Sequence, residues 1–297
     1  MKILNFGSLN LDHQYQVEHF VQPGQTLAAS TVTTGCGGKG LNQSIALARA
    51  GAHVWQGGCI GREGAPLAAL LQKNGVDISC LRQVDVPQGH AIIQRDKNGE
   101  NCILLFGGSN RAVTPDQIRQ TLNAFGPGDM LVLQNEINGL PELLEGGHAR
   151  GMTVVLNPSP CEESLARLDL SAVDWLILNE GEAYQISGAD TPDAAWQTLH
   201  RRWPNMRVVL TLGAAGSLLF TEQETLQQPA CRVYAADTTG AGDTFTGYFL
   251  ACLVRGDALQ HCLAVASKAA AISVMKKGAA DSIPTWEEVQ AAELPVY

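Results

Sequence analysis

One acidic residue follows a run of very small residues in the stretch TTGAGDTFTG, residues 238–247. Asp243 comes directly after Gly240, Ala241 and Gly242, and an apolar run typical of a helix follows it. The first amides of a helix lack partners and carry partial positive charge, so this turn suits an anion. A neighbouring Asp can take a proton from a hydroxyl that attacks phosphorus, while the amides stabilise the transferred phosphoryl group. A simple N-cap is the alternative for a lone Asp.

A second glycine-rich turn, GCGGKG, spans residues 35–40. Its G-x-G-x-x-G pattern is typical of dinucleotide binding, but it follows the third predicted strand, and no acid ends the strand about twenty residues later. Lys39 is followed by Gly40 and not by Ser or Thr, which excludes a P-loop. Two interpretations remain: a glycine turn that begins a helix, or a loop whose amides and Lys39 approach a polar ligand, with Asn42 one turn later.

Two further motifs follow apolar strands. LNEGE (178–182) places Asn179 and Glu182 three residues apart at the start of a helix. Such a pair can organise magnesium, directly or through water, or it can form a capping box. TLGAAG (211–216) is a glycine-rich turn between two strands and is a second candidate for nucleotide contact.

The elements that must position these motifs alternate along the chain. Apolar runs of strand length are predicted at residues 3–6, 53–58, 129–134, 153–158, 175–180 and 207–212. Helices are predicted at residues 42–50, 65–75, 115–125 (capped by Thr114), 140–150, 181–187, 192–203, 243–254 and 257–276. Apolar strands that alternate with helices predict an α/β fold with a mainly parallel central sheet between helices. Segments 13–21, 28–34, 90–96 and 101–106 have the pattern of exposed strands, which predicts a small separate sheet.

The composition limits the possible partners. The chain has 297 residues, a net charge of −9 and no basic tract, which argues against nucleic acid or an acidic membrane surface as a partner. An anionic substrate must therefore be bound by groups at its own site, because the overall negative charge does not attract it. The eight Cys form no CxxC pair and mostly lie in apolar runs, which predicts reduced, buried thiols. The N-terminus lacks the pattern of a signal peptide, and no apolar run has membrane-spanning length, so we expect a cytoplasmic protein.

Together these motifs resemble the ribokinase family of carbohydrate kinases, also called the phosphofructokinase B type. The resemblance runs from GSLNLD (7–12) and GGKGLNQS (37–44) through LNEGE and TLGAAG to DTTGAGDTFTG (237–247). It implies one ribokinase-like α/β domain over residues 1–297, with a small β-sheet lid formed by residues 10–36 and 88–108. In ribokinase-like members this lid also serves as the interface of a homodimer.

The resemblance also implies roles for individual residues. Asp243 would be the catalytic base, and Gly240, Ala241 and Gly242 would form the anion hole. The implied sugar contacts are Asn10, Asp12, Gly38, Lys39, Asn42, Glu136 and Asp243. The implied contacts to ATP and its magnesium are Asn179, Glu182, Thr211, Gly213, Gly216, Gly242 and Ser267. The implied potassium site, mostly of backbone carbonyls, comprises Asp237, Thr239, Ser273, Lys276, Gly278 and Ser282.

The implied activity is transfer of the γ-phosphoryl group of ATP to a primary hydroxyl of a pentose, with D-ribose as the expected acceptor. Kinases for fructose, another sugar or a nucleoside are alternatives, and Tyr15 and Phe20 are candidate contacts for a nucleoside base. A non-catalytic sugar- or nucleotide-binding regulator is an alternative of another class, and a dinucleotide-dependent enzyme is a third.

Three positions depart from the family pattern or lack an explanation. Tyr248 stands where Ala or Gly is usual, so we expect crowding of the helix or a shifted turn. Ser267 replaces the His or Asn often found near the adenine, which puts nucleotide contact at this position in doubt. Cys36 directly precedes the glycines of the sugar loop and has no assigned role.

Overall fold

A computed structural model describes residues 1–161, 165 and 168–296. The strands are β1 (Ile3–Phe6), β2 (Asn10–Gln16), β3 (Thr31–Gly37), β4 (Val54–Ile60), β5 (Leu81–Gln83), β6 (His90–Arg95), β7 (Asn101–Phe106), β8 (Met130–Gln134), β9 (Thr153–Asn157), β10 (Trp175–Asn179), β11 (Arg207–Thr211), β12 (Ser217–Phe220) and β13 (Thr225–Gln228). The α-helices are α1 (Lys39–Arg49), α2 (Ala65–Lys73), α3 (Pro115–Leu122), α4 (Leu140–Ala149), α5 (Glu180–Ser187), α6 (Pro192–Arg202), α7 (Ala241–Arg255), α8 (Leu259–Val274) and α9 (Trp286–Ala291).

The larger sheet, here called the main sheet, has the strand order β13-β12-β11-β10-β9-β8-β1-β4-β5 among the described residues. Strands from β11 to β5 in this order pair in parallel, while β12 and β13 are antiparallel at one edge. Helices cover both faces, and the strands between them are apolar because neither face meets water. The predicted α/β fold with a mainly parallel central sheet is therefore confirmed.

The two faces of the main sheet carry different helices. Buried residues of α1, α2, α7, α8 and α9 pack on one face, and those of α3, α4, α5 and α6 pack on the other. Gly247 of α7 lies against Ala46 of α1 so closely that an added Cβ would be 2.4 Å from the Ala46 Cβ. The absence of a side chain at this position lets α7 approach α1, and the two helices bring their N-terminal residues together at the site described below.

A second group of strands, here called the small sheet, has the order β3-β2-β6-β7. Strands β6 and β7 form the predicted hairpin, with Gly99 at φ 85° in the connecting turn. Because side chains alternate along a strand, Asp12, Ala91 and Arg95 lie on one face, while His13 and Leu104 lie on the other. We call these the inner face and the outer face.

Most sequence-predicted elements are present, with shifts at their ends. Thr114 caps α3 as predicted, since its side chain accepts a hydrogen bond from the Gln117 amide. Helix α1 begins at Lys39, three residues before its predicted start. Its N-cap is Gly38, which has no capping side chain, so no polar cap marked this start in the sequence. Strands β5 and β13 and helix α9 were not predicted, since these short segments carry too few residues to establish a period.

Tyr248 is accommodated in the core of the protein without the expected crowding. Its side chain is fully buried, its hydroxyl donates to the carbonyl oxygen of Pro284 at 2.7 Å, and its ring stacks on Trp286. The larger residue thus fills a space between α7 and the segment that leads into α9.

The eight cysteines are all free thiols, as predicted. Their predicted burial holds for Cys59, Cys252 and Cys262 but is wrong for Cys102, which is exposed on β7. The apolar run that contains Cys102 is an edge strand of the small sheet, so its apolar character does not report burial in the core. No helix within the described parts of the chain is both long enough and apolar enough to cross a membrane.

Candidate active site

The first turn of α7 presents backbone amides without partners. Gly240 precedes the helix in a left-handed conformation, with φ 76°, which a residue with a side chain adopts only at a cost. Within the described chain, the amides of Gly242 and Asp243 have no hydrogen-bond acceptor, whereas the Ala241 amide bonds the Thr238 carbonyl at 3.3 Å. A 15-residue helix with two free amides at its start is suited to bind an anion.

Asp243 lies in this first turn and is buried, with 7% of its surface exposed. One carboxylate oxygen accepts from the Asn42 side-chain amide at 3.0 Å, and the other accepts from the Gln43 side-chain amide at 3.0 Å. The N-cap of α7 is Gly240, so the alternative role of Asp243 as an N-cap is wrong. Both donors come from α1, and they fix the orientation of the carboxylate.

Gln43 was not predicted as a site residue. Its amide also donates to Asn157 at 3.1 Å, and its carbonyl oxygen accepts from Gln134 at 2.8 Å. The network therefore continues from α1 to the ends of β8 and β9. The only sequence signal was its position beside Asn42 in the motif GGKGLNQS, and the partner Asp243 is 200 residues away in sequence.

The loop before α1 lies close to the connection between β1 and β2. Gly38 has φ 93°, and a Cβ at Gly40 would be 2.6 Å from the Ser8 amide nitrogen. Gly35 and Gly37 belong to β3 of the small sheet, so this glycine pattern is not the turn after a first Rossmann strand. The structure therefore excludes the dinucleotide fingerprint.

Lys39 begins α1 among three acidic groups. Burial alone would lower the pKa of the Lys39 ammonium, but nearby carboxylates raise it above the ordinary lysine value; these belong to Asp243, Glu136 and Glu182. The side chain therefore keeps its positive charge within the site. A fixed cation at this position can stabilise negative charge that develops during a reaction.

Two of the predicted sugar contacts, Glu136 and Asn42, lie next to Lys39. Glu136 accepts hydrogen bonds from the Ser8 hydroxyl and from the Lys39 amide, the latter at 3.3 Å. Burial raises the pKa of Glu136, while the attraction of Lys39 opposes this rise. The Asn42 side-chain oxygen is buried and has no hydrogen-bond partner in the described chain. A ligand hydroxyl would satisfy this oxygen.

Asp12 and Asn10 reach the same region from β2. An added Cβ at Gly37 would be 2.0 Å from the Asp12 carboxylate, so the glycine gives this side chain its room. Burial, followed by repulsion from Glu136, raises the pKa of Asp12 from its ordinary 3.8 to about 7. Asn10 accepts a hydrogen bond from Asn110 at 2.7 Å. Asn110 was not predicted, and its oxygen also accepts from the Leu9 amide at 2.9 Å.

Two cavities lie beside these groups. A cavity of about 660 Å³ is lined by residues that include Asn10, Asn110 and Glu136. A second cavity, of about 340 Å³, is bordered by the first turn of α7. Among its lining residues are five of the seven predicted nucleotide contacts, namely Thr211, Gly213, Gly216, Gly242 and Ser267. Gly242, which carries one of the free amides of α7, thus borders a cavity that is largely apolar elsewhere, as a nucleotide site requires.

The remaining two predicted nucleotide contacts form a capping box at the start of α5. The Asn179 side chain accepts from the Glu182 amide at 2.9 Å, and the Glu182 carboxylate accepts from the Asn179 amide at 3.0 Å. No group of three or more candidate metal ligands occurs among the described residues. A magnesium ion here would depend on phosphate and water oxygens.

The predicted potassium residues meet beside α7. Asp237 accepts from the Thr239 amide at 3.0 Å, from the Thr239 hydroxyl at 2.7 Å and from the Gly278 amide at 3.2 Å. The Lys276 side chain turns away to Glu288, at 2.7 Å. The hydroxyls of the other two predicted residues donate to local carbonyls, Ser273 to Ala270 and Ser282 to Ala279, each at 2.8 Å. The Asp237 carboxylate thus joins the segments that contain Thr239 and Gly278, two of the residues implied for a potassium site.

The arrangement combines a buried carboxylate, free helix amides and a cation. It can deprotonate a hydroxyl and stabilise a phosphoryl group that the hydroxyl attacks. Such an arrangement performs phosphoryl transfer through positioning and charge stabilisation.

Known proteins agree with this chemistry. The family model for pfkB family carbohydrate kinases matches residues 1–286. A ribokinase from Haemophilus influenzae is 35% identical over 292 residues, which cover 95% of each chain. A ribokinase structure from Cryptococcus neoformans in complex with ADP has a TM-score of 0.84 at 32% identity and covers 97% of this chain and 98% of its own. A ribokinase structure from Arabidopsis thaliana complexed with ribose and ATP has a TM-score of 0.83 at 29% identity, with 97% of each chain covered. This chain therefore belongs to the pfkB family of carbohydrate kinases, which are phosphotransferases.

Proposed function

We propose that the protein is an ATP-dependent kinase that transfers the γ-phosphoryl group to the O5 hydroxyl of D-ribose and forms ribose 5-phosphate. The observation that carries this proposal is the buried Asp243 carboxylate directly beside the free amides of Gly242 and Asp243. The similarity to ribokinases over nearly the whole chain supports ribose as the acceptor.

In the proposed reaction, the ribose oxygen bonds to the γ-phosphorus as the bond from phosphorus to the β–γ bridging oxygen breaks. Asp243 receives the hydroxyl proton, and ADP leaves. The side-chain amides of Asn42 and Gln43 keep the carboxylate aimed at the acceptor. The free amides of Gly242 and Asp243, in the proposed anion hole of Gly240, Ala241 and Gly242, and the Lys39 ammonium would stabilise the transferred group.

The sugar would lie between the small sheet and α1. Its proposed contacts are Asn10, Asp12, Gly38, Lys39, Asn42, Glu136 and Asp243. The support comes from the buried, unpartnered oxygen of Asn42 and from the larger cavity, which Asn10 and Glu136 line. The small sheet, with chain segments 10–36 and 88–108, would act as the lid of a single domain over residues 1–297. Its closure would exclude water from the transfer step.

The adenosine part of ATP would occupy the cavity that borders Thr211 and Ser267. Ser267 lines this cavity although it departs from the family pattern, so a nucleotide contact there fits the cavity. Magnesium, when bound to the phosphates, neutralises their charge, and Asn179 and Glu182 would hold it through water. Potassium would bind at the loops of Asp237 and Gly278, where the Asp237 carboxylate already joins the two loops.

The nucleoside alternative loses one of its two supports. Tyr15 lies on the outer face of the small sheet, because it is three residues from Asp12 on the same strand. A side chain on that face points away from the sugar contacts. The free cysteines suit a reducing compartment, so we propose that the enzyme acts in the cytoplasm.

The small sheet also offers an interface for a homodimer. Its outer face carries exposed apolar side chains, including Leu104 (67% exposed), Val32 (58%) and Phe106 (47%). Val32 lies on β3 and the other two lie on β7, at the two edges of the small sheet, and exposed apolar side chains of this kind are typical of a surface that associates with a partner. We propose that two copies pair through these faces.

Replacement of Asp243 by Asn should abolish turnover but not sugar binding. Loss of the general base predicts a fall in kcat of at least about 100-fold, while ribose binding, measured by calorimetry, stays within a few-fold of wild type. Asp190→Asn, a change at an exposed acid, is the matched control. The assay should cover D-ribose, D-fructose and adenosine with ATP and magnesium. Substantial turnover by Asp243→Asn would show that Asp243 is not the base. Faster turnover of fructose or adenosine than of ribose by the wild-type protein would show that ribose is not the preferred acceptor.

The pH dependence of ribose affinity should follow Asp12. An ionised carboxylate accepts two hydroxyl hydrogen bonds, so the KM for ribose should fall as pH rises from 6 to 8 through the Asp12 pKa of about 7. Asp12→Asn should raise the KM and flatten this profile. Ribose KM values of wild type that do not vary with pH would contradict the assignment.

Asp12 should also affect stability with a defined sign. Between pH 3.8 and about 7 the folded protein holds a proton on Asp12 that the unfolded chain has lost. The contribution of Asp12 to the free energy of unfolding therefore falls as pH rises through this window. Urea unfolding of wild type and Asp12→Asn at several pH values measures this difference, which should grow with pH in favour of the variant.

Potassium should activate the enzyme more than sodium does. A ring of carbonyl oxygens replaces the weakly held hydration shell of potassium more easily than that of sodium. We expect several-fold faster ribose phosphorylation in KCl than in NaCl or choline chloride at equal ionic strength. Equal rates in the three salts would remove the proposed cation site.

Sedimentation velocity should show a dimer of the wild-type protein. Leu104→Glu places a charge on the outer face and should give a monomer, because a charge buried in an apolar interface is costly. Tyr234→Glu, at a residue that is 90% exposed outside the small sheet, is the matched control. A wild-type monomer at all concentrations would rule out this interface.

A further inference from the structure

An ion pair joins the small sheet to the body of the protein. The Arg95 guanidinium, at the end of β6, lies 3.6 Å from the Asp237 carboxylate. Both side chains are sheltered, with 22% and 11% of their surfaces exposed. The other ion pairs described do not connect the small sheet to the body. Lys97 and Glu18 pair beside the small sheet, and the remaining pairs join residues outside the small sheet.

The Asp237 end of this pair is held firmly by the body. Its carboxylate accepts hydrogen bonds from Thr239 and from the Gly278 amide, and Thr239 directly precedes Gly240 of the anion hole. These hydrogen bonds connect the carboxylate to the turn that leads into α7 and to the loop of Gly278.

The Arg95 end is held by the small sheet. Its carbonyl oxygen accepts from the Val17 amide at 2.9 Å, and its neighbours across the sheet are Gln16 and Asn101. Arg95 lies on the inner face, the face that also carries Asp12. The inner face of the small sheet therefore carries both Asp12, a proposed sugar contact, and Arg95, whose guanidinium pairs with Asp237 just before the anion-hole turn.

We propose that Arg95 is a positioning residue, whose ion pair with Asp237 holds the small sheet closed over the acceptor and makes the order of the anion-hole turn depend on that closure. This inference rests on the proposed function only in so far as the small sheet closes over a sugar. An ion pair sheltered from water is stronger than an exposed one. Removal of Arg95 would also leave the sheltered Asp237 charge without its counter-ion.

The test compares Arg95→Met, which replaces the aliphatic stem but removes the charged guanidinium, with Arg95→Lys, which keeps the charge. Arg82→Met, at an exposed arginine of β5, controls for loss of charge elsewhere. Thermal unfolding of each variant verifies that it is folded. Hydrogen exchange is then measured on the free proteins for the peptides that contain residues 237–243 and 276–280.

We expect faster exchange in both peptides of Arg95→Met, because the Thr239 and Gly278 amides bond the carboxylate that Arg95 fixes. The KM for ribose should rise about tenfold, which lies between the effects of exposed and buried pairs. ATP hydrolysis per sugar phosphorylated should also increase, since a loosened lid admits water. Arg95→Lys should recover part of each property, and Arg82→Met should match wild type.

Two results would overturn the proposal. The first is exchange and ribose KM in Arg95→Met that equal those of Arg82→Met. The second is a change only in the potassium concentration for half-maximal activity, which would make Arg95 an element of the cation site and not of the lid. A wild-type protein that does not phosphorylate ribose would instead overturn the proposed function, and the exchange comparison of the free proteins would still decide the role of Arg95.

Discussion

The site depends on the close approach of two helices that are far apart in sequence. Gly247 lets α7 lie against α1, and this contact brings the Asp243 carboxylate to the side-chain amides of Asn42 and Gln43. Hydrogen bonds to a charged group contribute about 1.5–3 kcal/mol each, which offsets part of the cost of burying the carboxylate. Gly242, which carries one of the free amides of the first turn of α7, borders the cavity in which the nucleotide would lie.

The charges around this contact are balanced locally, although the chain as a whole is acidic. Lys39 stays positively charged because three carboxylates surround it, and it is placed to attract the phosphates that the overall charge of −9 would repel. Asp12, by contrast, has a raised pKa because it is buried near another acid. A sugar hydroxyl that bonds Asp12 would replace the water that burial removes, so the polar side of the site is completed by its ligand.

Local motifs predicted the chemistry well because it is built from consecutive residues. The turn from Gly240 to Asp243 and the strand–helix alternation could both be recognised from sequence. Gln43, Asn110 and Arg95 could not, because their partners lie 200, 100 and 142 residues away and nothing in their own neighbourhoods marks them. Asn179 and Glu182 were recognised from sequence, but their spacing fits either a capping box or a magnesium site. Only the structure shows the hydrogen bonds of the capping box.

A crystal structure with ribose and a non-hydrolysable ATP analogue would show whether Asp243 and the start of α7 act together on the acceptor and the phosphate. We expect a terminal phosphate within hydrogen-bond distance of the Gly242 and Asp243 amides. We also expect the ribose O5 within hydrogen-bond distance of the Asp243 carboxylate. A terminal phosphate bound away from the start of α7, or an Asp243 carboxylate that contacts no sugar hydroxyl, would contradict these expectations.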